Sequence, residues 1–582
     1  MSYRLLPLVL SLAVVTLSPL PAMTNNPIAA PVATYPKAER QDIAEDHFGV
    51  KVADPYRWLE NDVREDARVR AWVTAENEVT NAYLASLPAR AMFAKRIRQL
   101  FDYERYGVPD KKGGRYFYAK NDGLQNQAVL YVRESLAGPA RMLVDPNLWS
   151  KDGATALGEW TPSEDGKHLL YSVQDGGTDW RTLRVLDVDN GRLLVDEVKW
   201  VKFSNLEWAK DGSGFFYSRF PEPQAEQQFQ SLNENQRVYF HRLGTPQSAD
   251  RLVYADAARP MLNNVAEVSD DGRWLIVSSS EGTDERYDIT LIDLVREAPP
   301  RRIVAGLAND WRYIGNQGDT FYWVTNLDAP RLRIVATDIG RPVSALKQIV
   351  AEDKATLDQA SIVGDRLIVS YLVDAKTEVR TMTRDGTRIG TVSLPGIGTA
   401  SGFAGDARDS ETFYAFSSFN RPTTIYRYDS AGGATSPFAE PEVAFDPADF
   451  AVEQRFYISK DGTRVPLFLV HRKDQPLGRP APTLLYGYGG FNISLTPSFS
   501  AANLAWIEQG GVLAVANLRG GGEYGKAWHD AGRLAEKQNV FDDFIAAGEY
   551  LIAQGVTSNR QLAIHGRSNG GLLVGAVVNQ RP

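Results

Sequence analysis

Three observations in the 582 residues predict a seven-bladed β-propeller joined to an α/β domain. A unit of polar turn plus aromatic-rich strand recurs seven times between about Gly107 and Phe438. From about Pro441 apolar strands alternate with helical stretches, the pattern of a parallel sheet. Near residue 568 a short apolar strand, Leu562 to Ile564, runs into Gly566-Arg567-Ser568-Asn569-Gly570. That is a G-x-S-x-G pattern, which sets a serine on a tight strand-to-helix turn between small residues that let the backbone make it.

In chain order, residues 1–22 read as an export signal. Met1 to Arg4 is a short positive start, Leu5 to Leu20 is apolar, and Leu20-Pro21-Ala22 offers small-residue cleavage. The apolar run is shorter than the ~20 residues of a membrane span. The mature protein is therefore expected to be secreted or periplasmic, with no membrane association after signal removal. Residues 23–105 are expected to form a helical segment packing on the α/β domain. Val69, Trp72, Val73, Val79, Tyr83 and Leu84 recur at helical spacing, behind a rigid turn at Asp54-Pro55-Tyr56-Arg57-Trp58-Leu59-Glu60.

Residues 106–440 carry the repeat. Its seven members are Gly114 with Tyr116-Phe117-Tyr118, Asp165-Gly166 with Leu169-Leu170-Tyr171, Asp211-Gly212 with Phe215-Phe216-Tyr217, Asp271-Gly272 with Trp274-Leu275-Ile276, Gly318-Asp319 with Phe321-Tyr322-Trp323, Gly364-Asp365 with Leu367-Ile368-Val369, and Asp409 with Phe413-Tyr414-Ala415. The intervals, about 46 to 60 residues, are those of propeller blades. Gly177-Thr178-Asp179 and Gly282-Thr283-Asp284 also repeat, two units apart.

Residues 441–582 read as the α/β domain. Phe456-Tyr457-Ile458 and Pro466 to Val470 form a hairpin around Asp461-Gly462. Strands follow at Thr483–Tyr486 and Val512–Ala516, then a helix over Val540–Ala553 and the strand entering Ser568. Two glycine-rich stretches, Tyr486 to Phe491 and Asn517 to Gly525, directly follow strands. They converge with the serine turn on the edge where such sheets bind ligands.

The formal charge of -8 offers no basic excess for phosphates, so nucleic acid is not expected as a partner. The absence of cysteine removes thiol catalysis, disulfides and Cys-based metal sites. The six histidines (His47, His168, His241, His471, His529, His565) are scattered, and no metal or cofactor is expected.

The stretches "YGYGGFNIS", "ANLRGGGEYG", "FDDF" and "GRSNGG", with "DPYRWLE" upstream, resemble the prolyl oligopeptidase family of serine peptidases. The resemblance covers nearly the whole mature chain. It implies a seven-bladed propeller plus an α/β-hydrolase domain, cleaving proline-containing oligopeptides after proline through an acyl-enzyme, as a monomer. It carries the nucleophile onto Ser568 and one oxyanion donor onto the Asn569 N–H, the residue after the nucleophile. The Tyr488 O–H is the other donor. Phe491 and Asn569 fall at substrate-binding positions.

In this fold the triad acid and base follow the serine in the chain. The residues after Ser568 include no Asp, Glu or His, so the sequence reads as cut off inside the hydrolase domain and inactive alone. His565 lies on the strand entering the serine and His529 in "KAWHD", and neither is expected to act as base. Two alternatives stay open at this point: an oligopeptidase B-like enzyme cutting after Arg or Lys, and a non-catalytic propeller binding module.

Overall fold

The computed structural model describes residues 34–224, 231–296, 298–340, 345–405 and 407–582. The expected export signal, residues 1–22, lies outside them. The chain divides into two compact units, Met1–Met92 and Phe93–Pro582.

The helical pattern holds from Ala67 to Ser86, where the Asp66 side chain caps the helix by accepting from the Arg68 N–H, and again in a second helix, Arg90–Phe101. Ahead of both stands a two-stranded hairpin, Ala44–His47 paired with Val50–Ala53, where the sequence pattern suggested helix. Phe48 and Gly49 both adopt positive φ (54° and 83°), and Asp46 Oδ1 accepts from Gly49 N at 2.8 Å. Such a tight turn determines the hairpin. Its strands are too exposed to show the alternation that announces a half-buried strand.

The second unit contains the propeller and the α/β domain. Each of the seven turn-strand units lies on a β-strand, from Arg115–Asn121 to Glu411–Ser418. The expectation of seven separate blades is corrected by the hydrogen bonding. Five discrete sheets form, one of five strands and four of four, while the second and third units share one eight-stranded sheet. The Val201↔Arg219 pairing carries the ladder across from one unit to the next. Sequence period reports strands, not where a ladder stops.

Neighbouring sheets share apolar cores. Phe117 and Leu130 meet Leu169 and Tyr171, Phe216 and Val238 meet Leu275 and Val277, and Ile276 and Leu291 meet Phe321 and Trp323. Further round, Tyr322 and Ile334 meet Leu367 and Val369, and Ile368 and Val379 meet Tyr414 and Phe416. The ring closes where the first sheet meets the last. Tyr116 stands edge-on to Phe413 at 5.9 Å, and Glu411 accepts from Lys111 at 2.7 Å and Tyr116 at 2.8 Å.

The α/β domain has a five-stranded sheet in the order Phe450–Ile458, Arg464–Arg472, Val512–Ala516, Thr483–Tyr486, Leu562–His565. The first two strands are the expected antiparallel hairpin, and the last three run parallel. Val512–Ala516 is wholly apolar and buried at every position, as a strand covered on both faces must be. The helix Gln538–Ala553 lays Val540, Phe544, Ala547 and Leu551 on the sheet. Earlier in the chain Arg96 grips Glu508 through two 2.6 Å contacts, and Leu100 is buried with Phe450 and Phe468. Among the described residues no helix is long and apolar enough to cross a membrane.

Candidate active site

Ser568 joins the strand Leu562–His565 to the helix Asn569–Gln580 with φ 53° and ψ -119°. A non-glycine residue there carries strain of order 1–3 kcal/mol, and such strain persists where surrounding structure enforces it, commonly at functional sites. The flanking glycines explain how the turn closes. A Cβ on Gly566 would stand 2.1 Å from the Gly570 carbonyl oxygen, so no side chain fits. The serine itself is exposed at the mouth of the turn. Asn569 is the first helical residue, and among the described residues its backbone N–H takes no partner. A free N–H at a helix N-terminus is suited to hold developing negative charge.

The loop after Thr483–Tyr486 lies alongside the turn, because Tyr486 is the register partner of His565. The Asn569 side chain clasps it, Nδ2 donating to the Tyr488 carbonyl at 2.7 Å. Gly490 is a glycine for the same reason: a Cβ there would stand 2.5 Å from Asn569 Nδ2. Tyr488 is half-buried beside the serine turn, and Phe491, at φ 53°, is 57% exposed on the rim.

The second glycine-rich loop, Asn517 to Gly525, is a support rather than a lining. Its charged residues turn inward. Arg519 Nε and Nη2 fork onto Asp543 at 3.0 and 2.6 Å; burial works to lower its pKa, and its two carboxylate partners, Asp543 and Asp461, outweigh that and hold it raised. Glu523 is fully buried, accepting from Leu495 N at 3.0 Å and Asn517 Nδ2 at 3.1 Å, and burial pushes its carboxyl up to about 7. The far end of the loop docks on the propeller, Tyr524 O–H donating to Asp374 at 2.7 Å and Lys526 N to the Pro330 carbonyl at 2.8 Å.

A cavity of about 420 Å³ opens beside Asn569 of the serine turn, between Phe491, Asn569 and Lys537 on one side and Glu281, Thr283, Asp284 and Glu285 of the propeller on the other. A smaller one of about 250 Å³ adjoins it, lined by Asn492, Ser494 and Lys526 below and by Asp310, Arg312 and Asp358 above. The turn Gly282-Thr283-Asp284, visible in the sequence only as a repeat, thus forms part of the roof.

The histidines stay in supporting places. Arg533 Nη1 lies 3.2 Å from His529 Nε2. The ring's Nδ1 lies 2.7 Å from the Gly520 carbonyl and 3.1 Å from the Asn492 backbone N, so the ring ties the second glycine-rich loop to the residue after Phe491. His565 rests its ring on Tyr486, centroids 5.4 Å apart. What sequence reasoning missed is the Arg519–Asp543 pair, signalled only by "FDDF", and Lys537, for which no motif spoke.

Two family models match the chain: the prolyl oligopeptidase N-terminal β-propeller domain over residues 35–441, and the prolyl oligopeptidase family over residues 497–582. The chain belongs to the prolyl oligopeptidase family. The prolyl endopeptidase of Elizabethkingia meningoseptica is 40% identical over 95% of this chain and 77% of its own. Prolyl oligopeptidase A of Amanita bisporigera is 34% identical over 94% of this chain and 77% of its own. Among solved structures, one from a study of two prolyl endopeptidases and the role of inter-domain dynamics superposes with TM-score 0.88 at 41% identity, over 94% of this chain and 81% of that one. Prolyl oligopeptidase B from Galerina marginata, bound to a 25-residue macrocyclization substrate, superposes with TM-score 0.87 at 31% identity, over 94% and 81%.

Proposed function

We propose that this member of the prolyl oligopeptidase family is a serine endopeptidase that hydrolyses short peptides on the carboxyl side of proline. The observation that carries this reading is the strained serine at the mouth of the strand-to-helix turn, with a free helix N–H on one side and a tyrosine loop on the other. Relatives named prolyl endopeptidases point the same way and do not favour cleavage after Arg or Lys, or a non-catalytic role.

In the reaction, Ser568 Oγ adds to the proline's own carbonyl carbon, and the carbonyl π pair moves onto oxygen. The Asn569 N–H and the Tyr488 O–H receive that oxyanion; one such donor is typically worth ~3–4 kcal/mol. Collapse expels the amine, which takes the proton released by Ser568, and water then frees the acyl group by the same route. The proton carrier belongs to the family's Asp–His pair, for which no residue of this chain is assigned. Phe491 offers an exposed ring at the rim for the substrate, and the propeller roof over the cavity suits an extended peptide rather than a folded protein. The leader at residues 1–22 supports export, to the periplasm or beyond.

The test, on a form of the enzyme that carries that Asp–His pair, compares fluorogenic peptides carrying proline or arginine before the scissile bond. Turnover confined to the proline peptide is expected, and equal or greater turnover of the arginine peptide would overturn the assignment.

A further inference from the structure

Lys537 stands where a lysine is disfavoured twice. It caps the N-terminus of the helix Gln538–Ala553, the positive end of that helix's dipole. It is also half-buried, and among the described residues no carboxylate pairs with it; burial alone shifts its ammonium, downward. Neither placement serves stability, so its partners are informative. Nζ donates to the Gly489 carbonyl at 2.7 Å and reaches Asn569 Oδ1 at 3.5 Å. The other end of that same amide, Nδ2, donates to the Tyr488 carbonyl at 2.7 Å. One orientation of the Asn569 amide satisfies both contacts.

We propose that Lys537 is a positioning residue: its ammonium ties the Tyr488-Gly489 backbone to Asn569, setting the two oxyanion donors in register. The inference rests on the oxyanion roles proposed above for Tyr488 and Asn569. The tyrosine side chain hangs from a loop rich in glycine, which has little stiffness of its own. The Asn569 N–H is held by the elbow, but the Tyr488 O–H depends on the loop. Two successive carbonyls, of Tyr488 and Gly489, are captured by Asn569 and Lys537, and that removes the loop's freedom. Misplacing a reacting group by about 1 Å can cost on the order of 10²-fold.

The experiment is a double-mutant cycle on the active enzyme with a proline-linked fluorogenic peptide. Lys537→Met is expected to lower kcat by roughly 10- to 100-fold with KM little changed, and Lys537→Arg, which restores a cationic donor, to recover much of the loss. Tyr488→Phe should cost roughly 10²–10³ in the parent enzyme but clearly less in the Lys537→Met background, where the donor is already displaced. Hydrogen exchange of the Gly487–Phe491 amides should quicken in Lys537→Met. Should that variant fail to fold, Lys537→Gln, too short to reach both oxygens, carries the same cycle. An equal cost of Tyr488→Phe in both backgrounds, or a rise in KM with kcat intact, overturns the role of Lys537 alone. A Tyr488→Phe variant with parental turnover overturns the oxyanion reading beneath it.

Discussion

Arg519 and Asp543 meet fork to fork inside the α/β domain, Nε to Oδ2 at 3.0 Å and Nη2 to Oδ1 at 2.6 Å, with side chains 6% and 0% exposed. Asp543 also accepts the Arg519 backbone N–H at 3.1 Å and the Ser459 hydroxyl at 2.5 Å. The second glycine-rich loop is thereby fastened to the helix Gln538–Ala553. Removing Asp543 leaves Arg519 only its contact with Asp461 and strands the buried Nε and Nη2 donors, at a typical cost of about 1–3 kcal/mol. Asp543→Ala is expected to lower unfolding stability by that amount, read from the urea midpoint. A change under 1 kcal/mol would show that the pair is not what holds the loop.

Ser568→Ala is expected to remove turnover, at the scale of ~10⁶ for a triad nucleophile, without loss of fold. The backbone at φ 53° adds a second expectation. Ser568→Gly should melt at a higher temperature than Ser568→Ala, because glycine alone occupies that region without strain. Calorimetry of the two variants checks the strain, and the peptide assay checks the chemistry.

Tyr488→Phe keeps the ring and loses one O–H. Turnover should fall roughly 10²–10³-fold, with KM and melting temperature close to the parent. Turnover at the parental level would place the second oxyanion donor elsewhere.

Glu523 makes stability depend on pH. Its carboxyl sits at about 7 in the fold against an ordinary 4.5, raised by full burial, with Oε2 lacking a partner. The folded state therefore holds its proton when the unfolded chain has released it. This contribution is unaffected below about pH 4.5 and is lost as pH rises toward 7, on the order of 3 kcal/mol in full. Glu523→Gln should remove that slope, so the stability gap between variant and parent widens in the variant's favour from pH 5 to pH 8. A gap that stays constant over that range, measured by urea unfolding, would refute the assignment.

Much of this architecture was legible in the residues. Tyr116-Phe117-Tyr118, Trp274-Leu275-Ile276 and their kin show strands because alternation and turn glycines act over two to four residues. The Ser568 turn was legible for the same reason, since Gly566 and Gly570 meet each other across four residues. The hairpin Ala44–Ala53 was not, because strands so exposed leave no apolar alternation to read.

The sequence by itself determined where the propeller strands and their turns and the strands and helices of the α/β domain form, and which serine stands on a strained turn, because those choices are made between near neighbours. Only the tertiary structure decided which strands share a sheet, as the Val201↔Arg219 pairing does in merging two repeat units. It alone turned Arg519 inward to Asp543, brought Lys537 to the Gly489 carbonyl 48 residues away, and laid Glu411 on Tyr116 across 295 residues. Such partners are chosen by what burial leaves unpaired, and a charge or carbonyl cannot carry in its own local sequence the identity of the group that will be folded against it.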